Sequence, residues 1–170
     1  MRALLLVLLG LPWSALARDE ALDLGLGAGY VCAANTRRYH GAAISADAIY
    51  QLSDLFAVRL LAAHGEHPSK GQSFRVDRLG VGVRFQLDVF EYIPWLEATP
   101  TYYLTTGDIP TDGAFGVAMG FGFDRLLTPT WSIGVGGAFH QIVGESRYPA
   151  YLDVGLRLGW HWVFGDPFAL

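Results

Sequence analysis

Charge is scarce in this chain, with Asp, Glu, Lys and Arg together making only 16% of its 170 residues. A single cysteine, Cys32, excludes an internal disulfide. Basic residues are outnumbered, 12 Lys and Arg against 16 Asp and Glu, and the formal net charge of −4 speaks against nucleic acid as a partner. A basic amphipathic helix that could lie on a membrane surface is missing as well. The stretch that a hydropathy scan would select is 126–144, 19 residues without Asp, Glu, Lys or Arg. It is not a spanning helix: it contains Pro129, Gly134, Gly136, Gly137 and Gly144, and it alternates Trp131, Ile133 and Val135 with Ser132, Gly134 and Gly136.

What is there is apolar without being helical: 52% hydrophobic residues, 14% aromatics and 21 glycines. At the N-terminus, Met1 and Arg2 supply a positive charge, residues 3–11 an apolar run, and Ser14, Ala15, Leu16 and Ala17 small residues at the spacing of a cleavage site. Residues 1–17 therefore read as a secretory signal peptide. The apolar run is too short to span a bilayer as an anchor. Residues 18–170 would form one domain, and removal of Arg2 would take the formal charge from −4 to −5.

The clearest pattern lies in 151–164. Leu152, Val154, Leu156, Leu158, Trp160, Trp162 and Phe164 share one face of a strand, and Tyr151, Asp153, Gly155, Arg157, Gly159, His161 and Val163 share the other. The same period of two recurs to give eight segments. Leu22 to Tyr30 in even steps opposes Asp23, Gly25, Gly27 and Gly29, and Ile44, Ala46, Ala48 and Tyr50 oppose Ser45, Asp47, Ile49 and Gln51. Phe56, Val58 and Leu60 oppose Ala57, Arg59 and Leu61; Leu79, Val81, Val83 and Phe85 oppose Arg78, Gly80, Gly82 and Arg84. Leu96, Ala98 and Tyr102 face away from Trp95, Glu97 and Thr99, and Phe115, Val117, Met119, Phe121 and Phe123 face away from Gly116, Ala118, Gly120, Gly122 and Asp124. Pro94 and Pro100 each remove a ladder donor from the fifth segment.

Connections alternate between tight ones, at 53–54, 89–92 and 127–130, and longer ones at 33–41, 65–73, 105–113 and 142–149. Short turns on one side and longer loops on the other suit a transmembrane barrel with the short side in the periplasm. An even strand count puts both termini on that side.

In this pattern the sequence resembles the small eight-stranded outer-membrane β-barrels of Gram-negative bacteria, the outer membrane protein A/X/W-like barrel domains, over nearly all of 22–164. The sharpest local piece is Gly159, Trp160, His161, Trp162, Val163 and Phe164, similar to the family's C-terminal insertion signal, in which hydrophobic residues follow a glycine by three and five positions. The sequence departs from the family by continuing through 165–170. The resemblance implies an all-β, antiparallel up-and-down barrel of eight strands in the outer membrane, with Gly159, Trp162 and Phe164 as insertion signal. Lipid and the barrel-assembly machinery are the implied partners of a monomer that needs no cofactor. The physics is compatible: a spanning strand takes about 9–11 residues, lipid cannot satisfy a free sheet edge, and eight strands leave an interior that side chains fill. A secreted lipocalin-like barrel would need the opposite polarity, with large apolar residues lining a pocket.

The inward face carries five acids (Asp23, Asp47, Glu97, Asp124 and Asp153) and four arginines (Arg59, Arg78, Arg84 and Arg157). Near balance predicts mutual pairing rather than an ion-selective pore, with Asp47, Arg59, Arg84, Glu97 and Arg157 as a charge network across the lumen. The tight turn at 89–92 predicts that Arg84 faces Glu97, since residues whose numbers sum to 181 would be opposite.

Two arrangements hint at chemistry. His64 and His67 flank Gly65 and Glu66 in an expected loop but lack a fourth metal ligand, so no metal site is expected. His140 with Glu145 and Ser146 could form a hydrolytic trio at the outer rim, like that of the lipid A deacylase barrels. That family places its Ser two residues from its His, and Ile142 occupies the place here. The expected function is a non-enzymatic envelope barrel, structural or loop-presenting. A narrow channel for small or hydrophobic solutes and a lipid-modifying enzyme are the alternatives.

Overall fold

The computed structural model describes residues 20–34, 38–68, 73–89, 91–108, 112–144 and 149–164. The eight segments are the strands β1 (Glu20–Ala34), β2 (Arg38–Gln51), β3 (Phe56–His67), β4 (Phe74–Gln86), β5 (Tyr92–Gly107), β6 (Asp112–Thr128), β7 (Trp131–Val143) and β8 (Ala150–Phe164). Each pairs antiparallel with its sequence neighbours, and β8 returns to β1, so the sheet has no edge. Closure leaves every strand with a ladder partner on both sides, which a bilayer interior requires.

Strand alternation separates the two surfaces. Leu26, Ile44, Leu79, Leu96, Phe115, Phe121, Leu156 and Trp162 point outward and stay exposed, while Arg84, Glu97, Tyr103, His140 and Tyr151 point inward and are buried. So continuous a band of exposed leucine, valine and phenylalanine is incompatible with water and suits lipid. Trp131, Trp160 and Trp162 gather where the termini lie, with the rings of Trp160 and Trp162 at 5.7 Å, as an aromatic girdle does at a membrane interface.

The strands run further than the side-chain pattern predicts. Connections on the side away from the termini shrink to 35–37, 68–73, 108–111 and 144–149, so the expected loops of eight or nine residues are corrected to between three and six. Beyond the bilayer the backbone still needs partners, and an antiparallel neighbour supplies them whatever the side chains are. Pairing stops where the chain turns, near Pro68, at Gly107 (φ +125°) and at Gly144 (φ +79°). On the terminus side, Val89 and Tyr92 exchange backbone hydrogen bonds of 2.9 and 3.0 Å, making the expected tight turn.

The prolines of β5 are accommodated differently. Pro94 faces outward and its carbonyl still accepts from Leu87 N–H at 3.0 Å. At Pro100 the β4–β5 ladder is interrupted, running from Gly80 opposite Thr101 and resuming at Val83 opposite Ala98. The register is nevertheless unchanged on either side of the gap.

Candidate functional site

The site to consider is the lumen, because nearly all the inward polar side chains meet there. They form two ionic layers. In the layer nearer the termini, Arg84 lies directly opposite Glu97 in the ladder, with Nη2 at 3.3 Å from Oε2, and its Nη1 reaches Asp124 at 3.3 Å. Arg59 bridges Glu97 at 2.5 Å and Asp47 at 2.9 Å. Arg157 donates to Asp47 at 2.8 Å and to Asp23 at 3.0 Å. Asp47, Arg59, Arg84, Glu97 and Arg157 are thus brought into one network, which Asp23 and Asp124 complete. The network draws on every strand but β7.

The second layer is smaller. Arg78 and His140 both bond Asp153, His140 at 3.0 Å, and His140 Nδ1 meets the Tyr103 hydroxyl at 2.8 Å. Above it, on the loop side, Val31, Ala33, Phe74, Val76, Tyr103, Ile142 and Tyr151 pack into an apolar plug. His67 stacks on Phe74 with centroids 4.6 Å apart and bonds the Tyr151 hydroxyl at 3.4 Å. The chemistry thus changes along the lumen, with charge pairs towards the termini and an apolar cluster towards the loops.

The glycines explain how so many large groups fit. A Cβ on Gly122 or Gly136 would lie 2.5 or 2.6 Å from the indole of Trp95, and one on Gly25 2.4 Å from the Arg157 guanidinium. The six-membered ring of Trp95 packs against Gly122 of β6 and Gly136 of β7, and the Arg84 guanidinium rests 4.2 Å from the ring centroid. Inward tryptophan opposite inward glycine was visible in the sequence as a size complementarity between β5 and β6, though Trp95 carried no expected role.

Two expected arrangements are corrected. His64 and His67 lie within β3 rather than in a loop, and three residues along a strand reverses the face. His64 points outward to Asp77 at 2.6 Å, whereas His67 is buried in the lumen, so the pair cannot share a metal ion. His140 is not at the rim but deep in the lumen, because β7 runs unbroken to Val143 and its inward parity includes His140. Glu145 and Ser146 lie outside the described residues, as do residues 1–17, the tail 165–170 and the side chain of Phe164. Gly159 is inward, where Arg157 and Ser132 fill its space, and Trp162 is outward and half exposed.

No protein-family model and no curated protein sequence matches this chain. Solved structures do. Neisserial surface protein A aligns over 85% of this chain and 99% of its own, at 15% identity and a TM-score of 0.72. Its fold is that of the small eight-stranded outer-membrane β-barrels. The attachment invasion locus protein Ail of Yersinia pestis covers 85% of this chain and 100% of its own, at 11% identity and a TM-score of 0.58. The outer membrane enzyme PagL covers 81% and 97%, at 10% identity and a TM-score of 0.55. At such identities the likeness carries the architecture, and the exposed apolar band carries the membrane setting. By fold this is an eight-stranded barrel of the kind those outer-membrane proteins share, and its surface suits lipid.

Proposed function

We propose that the protein is a non-enzymatic envelope barrel with a side-chain-filled lumen, contributing to membrane integrity or presenting its short loops. The observation that carries this reading is the ion-pair network that ties seven strands together across the interior, beneath an apolar plug. A continuous water path would require several of these pairs to break together. Removing one partner of a buried pair alone costs about 3–5 kcal/mol. His140 supports the same reading, since both of its ring nitrogens are engaged within the lumen and it is 1% exposed. That placement is unlike a catalytic histidine open to lipid.

The purified barrel is therefore expected not to conduct ions steadily across a planar bilayer. Reproducible unit conductance steps, abolished by Arg157→Trp, would favour the narrow-channel reading instead.

The proposal extends to biogenesis. Residues 1–17 act as a cleaved signal peptide, 18–170 form the barrel domain, and the termini face the periplasm. The assembly machinery reads Gly159, Trp162 and Phe164. Trp162 supports this, since it faces lipid on the terminus side beside Trp160. Truncation after Phe164 should leave the yield of heat-modifiable barrel in outer-membrane fractions intact, and Phe164→Asp should abolish it. The reverse result would move the closing strand towards Phe168.

A further inference from the structure

A groove of about 500 Å³ crosses the outer face of the barrel from β5 to β8. Its walls are rungs of the ladder. Pro94 stands opposite Phe123 and Phe123 opposite Val135; two residues along, Leu96 stands opposite Phe121 and Phe121 opposite Gly137. Gly137 turns no side chain outward, and a Cβ there would lie 3.3 Å from Val154 Cγ2, so the floor dips between Phe121 and Val154.

Towards the termini, the next outward rung is Tyr92 opposite Arg125. The Arg125 guanidinium lies 5.6 Å from the Tyr92 ring centroid, and its Nη2 is 3.4 Å from both carboxylate oxygens of Glu91 in the β4–β5 turn. Both partners are about half exposed, and an exposed pair of this length contributes little, so each charge is open to a ligand. Tyr92 and Trp131 belong to the interface girdle at this end, which puts Arg125 and Glu91 at headgroup depth and the groove at the depth of acyl chains. We propose that the barrel holds a phospholipid with a phosphoethanolamine headgroup here, its phosphate on Arg125, its ammonium on Glu91 and an acyl chain in the groove between Phe121 and Gly137.

Charge complementarity sets the class. Among the described side chains, Arg125 is the one basic group on the outward face at this end, against the exposed acids Asp54, Asp88 and Glu91. An anionic headgroup would bring its phosphate to Arg125 beside the Glu91 carboxylate, two like charges together. Phosphoethanolamine matches both groups: its phosphate oxygens accept from the guanidinium fork, and its ammonium donates to Glu91. A choline headgroup has no N–H for that second bond. The site uses the lipid-facing surface and makes no use of the lumen, so its failure is distinct from that of the filled-lumen reading.

The test uses the full barrel in detergent, stripped of lipid and then mixed with equal amounts of phosphatidylethanolamine and phosphatidylglycerol carrying the same chains. Native mass spectrometry should show the ethanolamine lipid retained over the glycerol lipid by about two- to fivefold, the range for one exposed charge pair. Glu91→Gln should remove or reverse that preference, since phosphate then meets Arg125 with no carboxylate beside it. Arg125→Gln should lower the retention of both lipids. Heat-modifiable migration on detergent gels checks that each variant folds, and two measurements on the parent need no variant: the retention ratio, and crystals grown with a phosphatidylethanolamine brominated in its chain, which should show a bromine anomalous signal between Phe121 and Gly137. Equal retention of the two lipids by the parent, a ratio that Glu91→Gln leaves unchanged, or a groove without bromine would overturn the proposal.

Discussion

Replacing Arg84 by alanine is expected to lower the unfolding free energy of the barrel by about 3–5 kcal/mol, the range for breaking a buried ion pair by removing one partner. Arg84 is 1% exposed, so solvent does not screen its contacts. It holds Glu97 and Asp124 at once and covers the Trp95 ring. Without it Glu97 keeps Arg59, but the nearest remaining cation to Asp124 is Arg157 at 4.0 Å. The damage should therefore fall mainly on Asp124. A second substitution, Asp124→Asn, made on the Arg84→Ala background, should recover part of the loss by removing the stranded charge. Denaturant titration of the barrel refolded in lipid vesicles measures both. An Arg84→Ala barrel as stable as the parent would mean that the network fills space without supporting the fold.

The partners of Arg84 illustrate what the sequence makes legible. A period of two assigns Arg84 and Glu97 to the inward face, and the tight turn after β4 sets which residue lies opposite which, so this pair follows from local information. Asp124 does not. It reaches Arg84 across β5, and contacts between strands that are not neighbours depend on barrel shear and on which rotamers the glycines permit. The same holds for the separation of Arg78, Asp153 and His140 from the larger network: all are inward by parity, but their heights in the lumen follow from the stagger of β4, β7 and β8. The strand ends were the least legible. Alternation reports where side chains meet lipid, and it falls silent where a strand continues into water, so His67 and Tyr39 read as loop although they belong to strands and pack against the plug. His64 and His67 show the consequence, since an apparent pair in a loop becomes two residues on opposite faces once the strand is extended.

Leu156→Arg is expected to destabilise the barrel by about 2–4 kcal/mol, the depth-dependent range for an arginine on the lipid face near the bilayer midplane. Leu156 sits midway along β8, opposite Ala28 on one side and Val135 on the other, with 61% of its surface exposed to what would be lipid. Its neighbour in sequence, Arg157, is 8% exposed and pairs with Asp47 and Asp23 inside. One step along the strand thus separates a site that rejects an arginine from a site that requires one. Exchanging the two residues should be worse than Leu156→Arg alone, because it also leaves Asp47 with only Arg59 and Asp23 with only His161, which lies 3.6 Å away. The exchanged chain should fail to reach the heat-modifiable form on detergent gels, while Leu156→Val, which keeps the face apolar, should reach it as the parent does. If the exchanged chain folded normally, β8 would have to be able to slip by one residue against β1 and β7. The parity of the rest of β8 opposes such a slip: a one-residue shift would turn Asp153 outward and bring Val154, Leu158 and Trp160 into a lumen already occupied by Asp23, Asp47 and Arg59.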